Sequence, residues 1–154
     1  MDKKYFHDMI IKTIETCSYK FYLVQQDFDV ACTCTEHSTK QADYKCKNCL
    51  GTGYKIRIKT LEGASQDELK GGATLGERSA RLIKNYFMKP KFKLTEKNLI
   101  IDDDTVFYVH RIQKRRGFDG EYVYQEVMAA KQTNYHNTIL NNFKEILNNS
   151  KKKK

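Results

Sequence analysis

Four of the five cysteines lie close together, and they constrain the fold more than any other feature of the chain. Cys32 and Cys34 form a C-x-C pair, and Cys46 and Cys49 form a C-x-x-C pair after a link of eleven residues. Each pair can turn both sulfurs onto one ion, and the link is long enough for the pairs to face each other. Zinc accepts four thiolates in a tetrahedron. The spacing therefore predicts a structural zinc site in an inserted module, the cysteine segment, at residues 31–54.

Glycines follow the second cysteine pair, at Gly51 and Gly53. Glycine lets the backbone turn tightly after a ligand and aim its N–H groups at sulfur.

The alternatives to zinc are two disulfides or an iron–sulfur cluster, which four cysteines can also hold. No hydrophobic secretory signal opens the chain, so we expect a reducing compartment, in which disulfides do not persist. His37 is an alternative ligand that we interpret as a loop residue, and Cys17 is interpreted as a small buried apolar residue.

A metal with four protein ligands has no open position for water, so this site is expected to staple the chain and not to catalyse. The segment contains few large apolar residues, and the metal would supply the cross-link that packing cannot. The chain has no phosphate loop, dinucleotide-binding glycine motif or nucleophile elbow. Its four histidines are dispersed, at His7, His37, His110 and His136. We therefore predict a protein that is not an enzyme.

The composition suits one globular domain over residues 1–154. Hydrophobic residues make up 40% of the chain and charged residues 31%, which allows a sizeable core. No apolar run approaches the roughly 20 residues that a membrane span needs, so no membrane partner is expected.

The formal net charge of +9 is typical of nucleic-acid binding. However, four of the positive charges form a basic tail at 151–154 and the others are interleaved with acids, which favours a solubilising surface.

Apolar periodicity predicts a mainly β fold with an amphipathic helix at each end, at 2–17 and 133–149. The sheet is expected to be a small antiparallel β-barrel or sandwich, with the cysteine segment inserted between two strands. In chain order we predict strands at 19–24 and 54–59, a long glycine-rich loop at 61–77, a strand or helical turn at 79–88, and an antiparallel meander at 99–101, 105–112 and 121–130.

The same alternation predicts which side chains face the core. The predicted core residues of the strands are Tyr54, Ile56, Ile58, Val106, Tyr108 and Ile112. In the last helix, Ile139 and Phe143 are assigned to the apolar stripe and Asn142 to the polar one. Residues 102–104 are three consecutive aspartates and a candidate metal or phosphate site. A solvated turn is favoured, because adjacent strand residues point to opposite faces.

Residues 99–130 carry a resemblance to a known group of proteins. They read L-I-I-D-D-D-T-V-F-Y-V-H-R-I, then a polar turn with glycine, then E-Y-V-Y-Q-E-V-M-A-A. This run resembles the C-terminal strands of head–tail connector or stopper proteins in the necks of tailed bacteriophages. The C-x-C…C-x-x-C-x-G-T-G-Y insertion at 31–54 resembles zinc-containing members of that group. It is also similar to the zinc repeat of DnaJ-type chaperones, but that element recurs four times there and appears once here.

The resemblance implies a structural virion protein, assembled in the host cytoplasm, that forms a ring with copies of itself between the portal or adaptor and the tail. Such rings help to retain packaged DNA. The loop at 61–77 would then reach the lumen or a neighbouring subunit, and Lys114, Arg115 and Arg116 would face DNA phosphates or a subunit. Two alternatives remain: a zinc-ribbon nucleic-acid-binding protein, and a chaperone or scaffold with a redox-sensitive zinc site.

Overall fold

The computed structural model describes residues 3–70, 81–132 and 136–153. Within these residues two helices flank six strands, which confirms the predicted mainly β fold with a helix at each end. Helix α2 continues to Lys151, so the basic tail begins inside the last helix, and the predicted helix residues 133–135 lie outside the described part. The elements are α1 (Lys3–Thr16), β1 (Tyr19–Ala31), β2 (Tyr54–Lys70), β3 (Arg81–Met88), β4 (Leu99–Asp102), β5 (Thr105–Arg116), β6 (Tyr122–Lys131) and α2 (His136–Lys151).

The six strands form one antiparallel sheet that closes on itself as a barrel. The strand order is β1-β2-β3-β6-β5-β4, and β4 pairs back onto β1. Closure is short, because only residues 22–24 of β1 pair with residues 99–101 of β4. Strands β4, β5 and β6 form the predicted meander. Within the closed part, the sheet has no exposed edges of the kind that an open sheet would present to other chains.

The predicted loop at 61–77 is wrong over its first ten residues. Residues 61–70 continue β2, and they pair with β3 from Gly63 opposite Met88 to Lys70 opposite Arg81. The glycine content of this stretch suggested a loop, but Gly63 serves close packing between strands. A Cβ atom at Gly63 would lie 2.6 Å from the carbonyl oxygen of Phe87. Residues 71–77 of the predicted loop lie outside the described residues.

Strands β1 and β2 continue past the barrel as a two-stranded arm, defined here as residues 25–31 and 54–59. Residues 25–31 of β1 and 54–57 of β2 pair only with each other among the described strands, and Ile58 and Lys59 at the base of the arm pair with Val24 and Leu23 of the barrel. The arm leads into the cysteine segment at its tip. Ile58 lies on the arm and is 37% exposed, so its prediction as a core residue is wrong, whereas Tyr54 and Ile56 are half-buried.

Two apolar clusters lie on opposite faces of the sheet. Strand β4 contributes to both, which explains its continuous apolar run. The inner cluster fills the barrel and contains Phe21, Leu23, Leu61, Tyr86, Met88, Ile100, Phe107, Val109, Val127 and Ala129. The outer cluster lies between the sheet, the cysteine segment and α2, and it contains Val24, Leu50, Leu99, Ile101, Val106, Ile139, Leu140 and Phe143.

A one-residue irregularity changes the side-chain pattern of β5. The register shifts between Val109 and Arg111, where β5 pairs with β6. As a result, Tyr108 packs against the outer cluster and Ile112 against the inner one. The predicted common face for Val106, Tyr108 and Ile112 is therefore wrong beyond the shift, because an extra residue reverses the alternation.

Helix α1 lies loosely on the outside of the barrel. None of its residues is buried, and Phe6 and Met9 are about half exposed. Ile11 and Ile14 line a groove of about 290 Å³ against the barrel.

The interpretation of Cys17 as a buried residue is wrong. Its side chain is exposed, because α1 ends one residue earlier and the chain there turns away into β1.

Candidate metal centre

The four clustered cysteines converge at the tip of the arm. Their Sγ atoms all lie within 4.8 Å of one another, and none of them is in a disulfide. The Sγ atoms of Cys32 and Cys46 are 3.8 Å apart, and those of Cys34 and Cys49 are 3.6 Å apart. A tetrahedral ion with metal–sulfur distances of about 2.3 Å needs sulfurs about 3.8 Å apart. The cluster can therefore hold one metal ion.

The backbone after Cys49 makes the predicted tight turn. Leu50, Gly51 and Gly53 all have positive φ angles, of 55°, 80° and 83°. The N–H groups of the two glycines point at the Cys49 sulfur. The Thr52 N–H and hydroxyl both donate to the Cys49 carbonyl oxygen, at 3.0 and 2.7 Å. Glycine adopts this left-handed conformation freely, so the turn can aim its amides at the sulfur without strain at those two positions.

The thiols differ in acidity because their surroundings differ. The Cys34 N–H donates to the Cys32 sulfur and lowers the pKa of Cys32. Burial raises the pKa of Cys34, and it raises the pKa of Cys49 to about 12. A metal ion binds thiolates, so metal binding here would release protons from buried thiols, and the cation would replace their protons as the compensating charge.

The cysteine segment is held against α2 by the residues that directly follow its last ligand, Cys49. Leu50 is fully buried in the outer cluster, beside Ile139 and Leu140 of the helix. A Cβ atom added to Gly51 would lie 2.9 Å from Cγ2 of Thr138, so the helix approaches the turn closely. The centre is therefore continuous with the packing of the C-terminal helix.

Polar contacts reinforce this docking. The Asn142 side-chain amide donates to the Tyr44 carbonyl oxygen at 2.8 Å, and Asn142 is only 6% exposed. The assignment of Asn142 to the polar, solvated stripe is therefore wrong, because the cysteine segment covers that side of the helix. Lys47 and Glu145 form an exposed ion pair at 3.0 Å.

His37 is exposed and is not among the converging ligands in the described part of the chain. It lines an open cleft of about 1060 Å³ between the cysteine segment and the neighbouring barrel and helix.

The basic residues predicted to face DNA lie far along the chain from the cysteine cluster. They are the last three residues of strand β5. Arg115 pairs with Glu126 at 3.1 Å. Arg116 donates to the Tyr122 hydroxyl and the Gly120 carbonyl oxygen, both at 3.0 Å. Both arginines thus have partners within the chain, whereas the Lys114 ammonium group lies 5.4 Å from the centre of the Tyr122 ring.

The three consecutive aspartates do not act together. Asp103 has a φ of 50° in the turn between β4 and β5, and Asp104 pairs with Lys144 of α2 at 2.6 Å. These two residues lie in the predicted solvated turn. Asp102 is the last residue of β4, and it is only 5% exposed because its side chain points into the barrel, so its assignment to a solvated turn is wrong.

Asp102 is the centre of a buried polar network that the sequence analysis missed. It accepts hydrogen bonds from Tyr19 at 2.6 Å and Tyr86 at 2.9 Å, and Lys84 pairs with it at 2.8 Å. Burial and the neighbouring carboxylate raise the pKa of both tyrosines. Burial lowers the pKa of Lys84, but Asp102 outweighs it and raises the pKa overall. Strand alternation was the signal that could have found this network, because residues two apart on a strand face the same side. An inner-cluster residue lies two positions from each of Tyr19, Lys84 and Asp102.

Comparisons with known proteins add no relative. No protein-family model matches the chain, and no curated protein matches it.

Among the described residues, neither helix is long and apolar enough to cross a membrane.

Proposed function

We propose that this protein is a structural subunit of a phage neck, which assembles with copies of itself into a ring between the portal or adaptor and the tail and helps to retain packaged DNA. The observation that carries the proposal is the distribution of large exposed hydrophobic side chains. They lie mainly on elements outside the interior of the barrel: Tyr5, Phe6 and Met9 on α1, Phe28, Val30 and Ile58 on the arm, and Phe118 and Tyr122 at the β5–β6 hairpin.

This exposed apolar surface supports assembly for two reasons. Clustered exposed hydrophobic side chains mark protein–protein contacts. Two different patches on one chain, one on α1 and one on the arm, also suit a head-to-tail contact, in which one patch of each copy meets the other patch of the next. Such heterologous contacts generate rings when the rotation closes. The meander, whose residues 99–130 carry the resemblance to neck proteins, supports the same function.

The metal that we propose is one structural zinc ion. Four thiolates leave zinc no open position, which suits a staple and not a catalyst. A cluster of several irons would place its thiolates on different metal atoms and would need more room than sulfurs within 4.8 Å provide. Elemental analysis of the purified chain should find about one zinc per chain; iron with visible absorbance, or no metal, would contradict this assignment.

Assembly is tested by the mass of the purified, metal-loaded chain in solution. We expect particles several times heavier than the 18.1 kDa chain. Replacing Phe6 and Met9 together by serine removes the apolar patch of α1 and should shift the mass towards single chains. The matched control is Tyr44→Ser, because Tyr44 is exposed but lies on neither patch. A wild-type chain that stays single at every concentration would overturn the proposed function.

A nucleic-acid-binding protein that acts without a ring is the second candidate, and the net charge of +9 favours it. Such a protein should bind duplex DNA as a single chain, with a salt slope of about 0.9 per phosphate contacted. The mass of the chain, free and bound to DNA, separates the two candidates.

A further inference from the structure

Three cations alternate along one face of the arm. Lys55, Arg57 and Lys59 are all exposed on β2, and side chains two residues apart on a strand lie about 6.8 Å apart on the same face. Lys59 pairs in register with Leu23 and Arg57 with Gln25, so the row continues the inner face of the barrel beyond its end. No acid of β2 interrupts the row, because the residues between are isoleucines.

The connection between β3 and β4 closes the same end of the barrel and adds further cations. Lys91 and Lys93 are exposed on it, while Phe92 between them packs against the inner cluster. Gln25, which pairs with Arg57, donates to the Lys93 carbonyl oxygen at 3.0 Å. The arm and the connection are therefore joined directly, and their cations share one end of the barrel.

The β5–β6 hairpin reaches this end from the other side. Gln125 is buried and donates to the carbonyl oxygens of Lys89 and Phe92, at 3.0 and 2.7 Å. Lys114 pairs with Gln125 in register, so it extends from the same face. We call Lys55, Arg57, Lys59, Lys91, Lys93 and Lys114 together the basic end.

The charges of the basic end are largely uncompensated. Within the described part of the chain, none of its six cations forms an ion pair. The nearest acids in sequence or register are Asp27, Asp29, Glu62, Glu96, Asp119, Glu121 and Glu126. Asp27 pairs with Lys55 in register, Glu62 lines the same groove as Lys91, and Glu126 forms its ion pair with Arg115.

We propose that the basic end binds the phosphate backbone of duplex DNA, without base specificity. Uncompensated cations on a rigid strand suit phosphates, which fix position and carry no sequence information. Single-stranded nucleic acid is held by exposed aromatic rings on which bases stack. On β2, Tyr54 alternates with the cations and packs against Phe28, and Phe92 packs inward. Tyr122 is the exposed ring beside Lys114, and the Arg116 guanidinium already lies 4.6 Å from its centre. This inference rests on the proposed function for its setting, which is packaged DNA.

The test measures binding of the zinc-loaded full chain to a short fluorescent duplex by anisotropy, between about 50 and 200 mM salt. The test variant replaces Lys55, Arg57 and Lys59 by glutamine. The control variant replaces Lys151, Lys152 and Lys153 by glutamine, which removes the same charge elsewhere. We expect the plot of log affinity against log salt to become shallower by about 2.7 in the test variant, if each cation contacts one phosphate, and to change little in the control. Zinc content and melting temperature verify that both variants are folded.

Three outcomes would overturn the inference: no duplex binding by the wild type at the lower salt concentration, an equal loss in both variants, or tighter binding of single-stranded DNA or RNA of the same length. A Lys91→Gln, Lys93→Gln variant gives an independent check, because it should also flatten the slope. The mass of the chain is measured on the same samples. If the chain forms a ring but the variants do not change its affinity for DNA, only this inference is contradicted. If single chains bind DNA through the basic end, only the proposed ring is contradicted.

Discussion

Cys46 and Cys17 carry the same thiol in opposite surroundings. The Cys46 sulfur is one of the four that converge at the tip of the arm, whereas Cys17 follows the end of α1 and its side chain is exposed. Cys46→Ser should abolish metal binding and lower the free energy of unfolding by about 4 kcal/mol or more, because loss of a structural metal is among the largest single effects. Cys17→Ser should change it by less than about 0.5 kcal/mol, as at other surface sites. Metal content and urea unfolding measure both; equal behaviour of the two variants would contradict the site.

The Asp102 network predicts weakening at alkaline pH. The ordinary pKa of tyrosine is about 10, and burial beside Asp102 raises the pKa of Tyr86. Above about pH 10 the unfolded chain therefore loses the Tyr86 proton while the folded chain keeps it, and stability falls as pH rises. Lys84 acts in the same direction. The pKa of Lys84 is higher in the folded chain than its ordinary value of about 10.4, which applies to the unfolded chain. The stability that Lys84 contributes is therefore fully present below about pH 10.4, and it is lost as the pH rises through the pKa of the folded chain.

Tyr86→Phe tests this coupling. At neutral pH the variant should lose about 1 kcal/mol, the usual net contribution of a hydrogen bond. Its stability should decline less steeply than that of the wild type above about pH 10, because one of the coupled groups is gone. Urea midpoints on either side of that pH provide the measurement. Tyr44→Phe, at an exposed tyrosine, should leave the decline unchanged, and an unchanged decline in Tyr86→Phe would refute the coupling.

At the scale of elements, α2 is held by the cysteine segment as well as by the sheet. Asn142→Ala would leave the Tyr44 carbonyl oxygen without its buried donor and should cost about 1–3 kcal/mol. The adjacent Asn141 is exposed, so Asn141→Ala is the matched control and should change stability little. Denaturant midpoints compare the two variants, with metal content expected to be unchanged in both. Equal midpoints would show that the contact to Tyr44 does not hold the helix.

The strands show where periodicity succeeds and where it stops. Alternation predicted β5 and β6, and a continuous apolar run predicted β4, which has a core on each face. It failed after Val109, where a single extra residue reversed the faces of β5. It also failed at residues 61–70, where glycine and polar residues lie in a paired strand. There Gly63 meets the backbone of β3, a contact between residues far apart in sequence.

At the scale of the whole molecule, the two apolar clusters respond differently to metal removal. The inner cluster contains no residue of the cysteine segment, whereas the outer one contains Leu50 together with three residues of α2. Chelation should therefore increase hydrogen exchange in α2 and at the tip of the arm, while the amides of β3 and β6 stay protected. Cooperative loss of protection in every strand would show instead that the two clusters unfold as one unit.

The sequence by itself determined the features that depend on neighbours along the chain. These are the cysteine spacing, the glycine turn after the second pair, the two terminal helices and the meander, because ligand spacing, backbone freedom and periodicity are local properties. Tertiary structure alone decided the features that depend on distant contacts. The closing pair of β1 and β4, the burial of Asp102 beside Lys84, the exposure of Cys17 and the side of α2 covered by Tyr44 follow from which surfaces meet. A local sequence pattern does not predict which surfaces meet, because these contacts are set by the free energy of the whole folded chain.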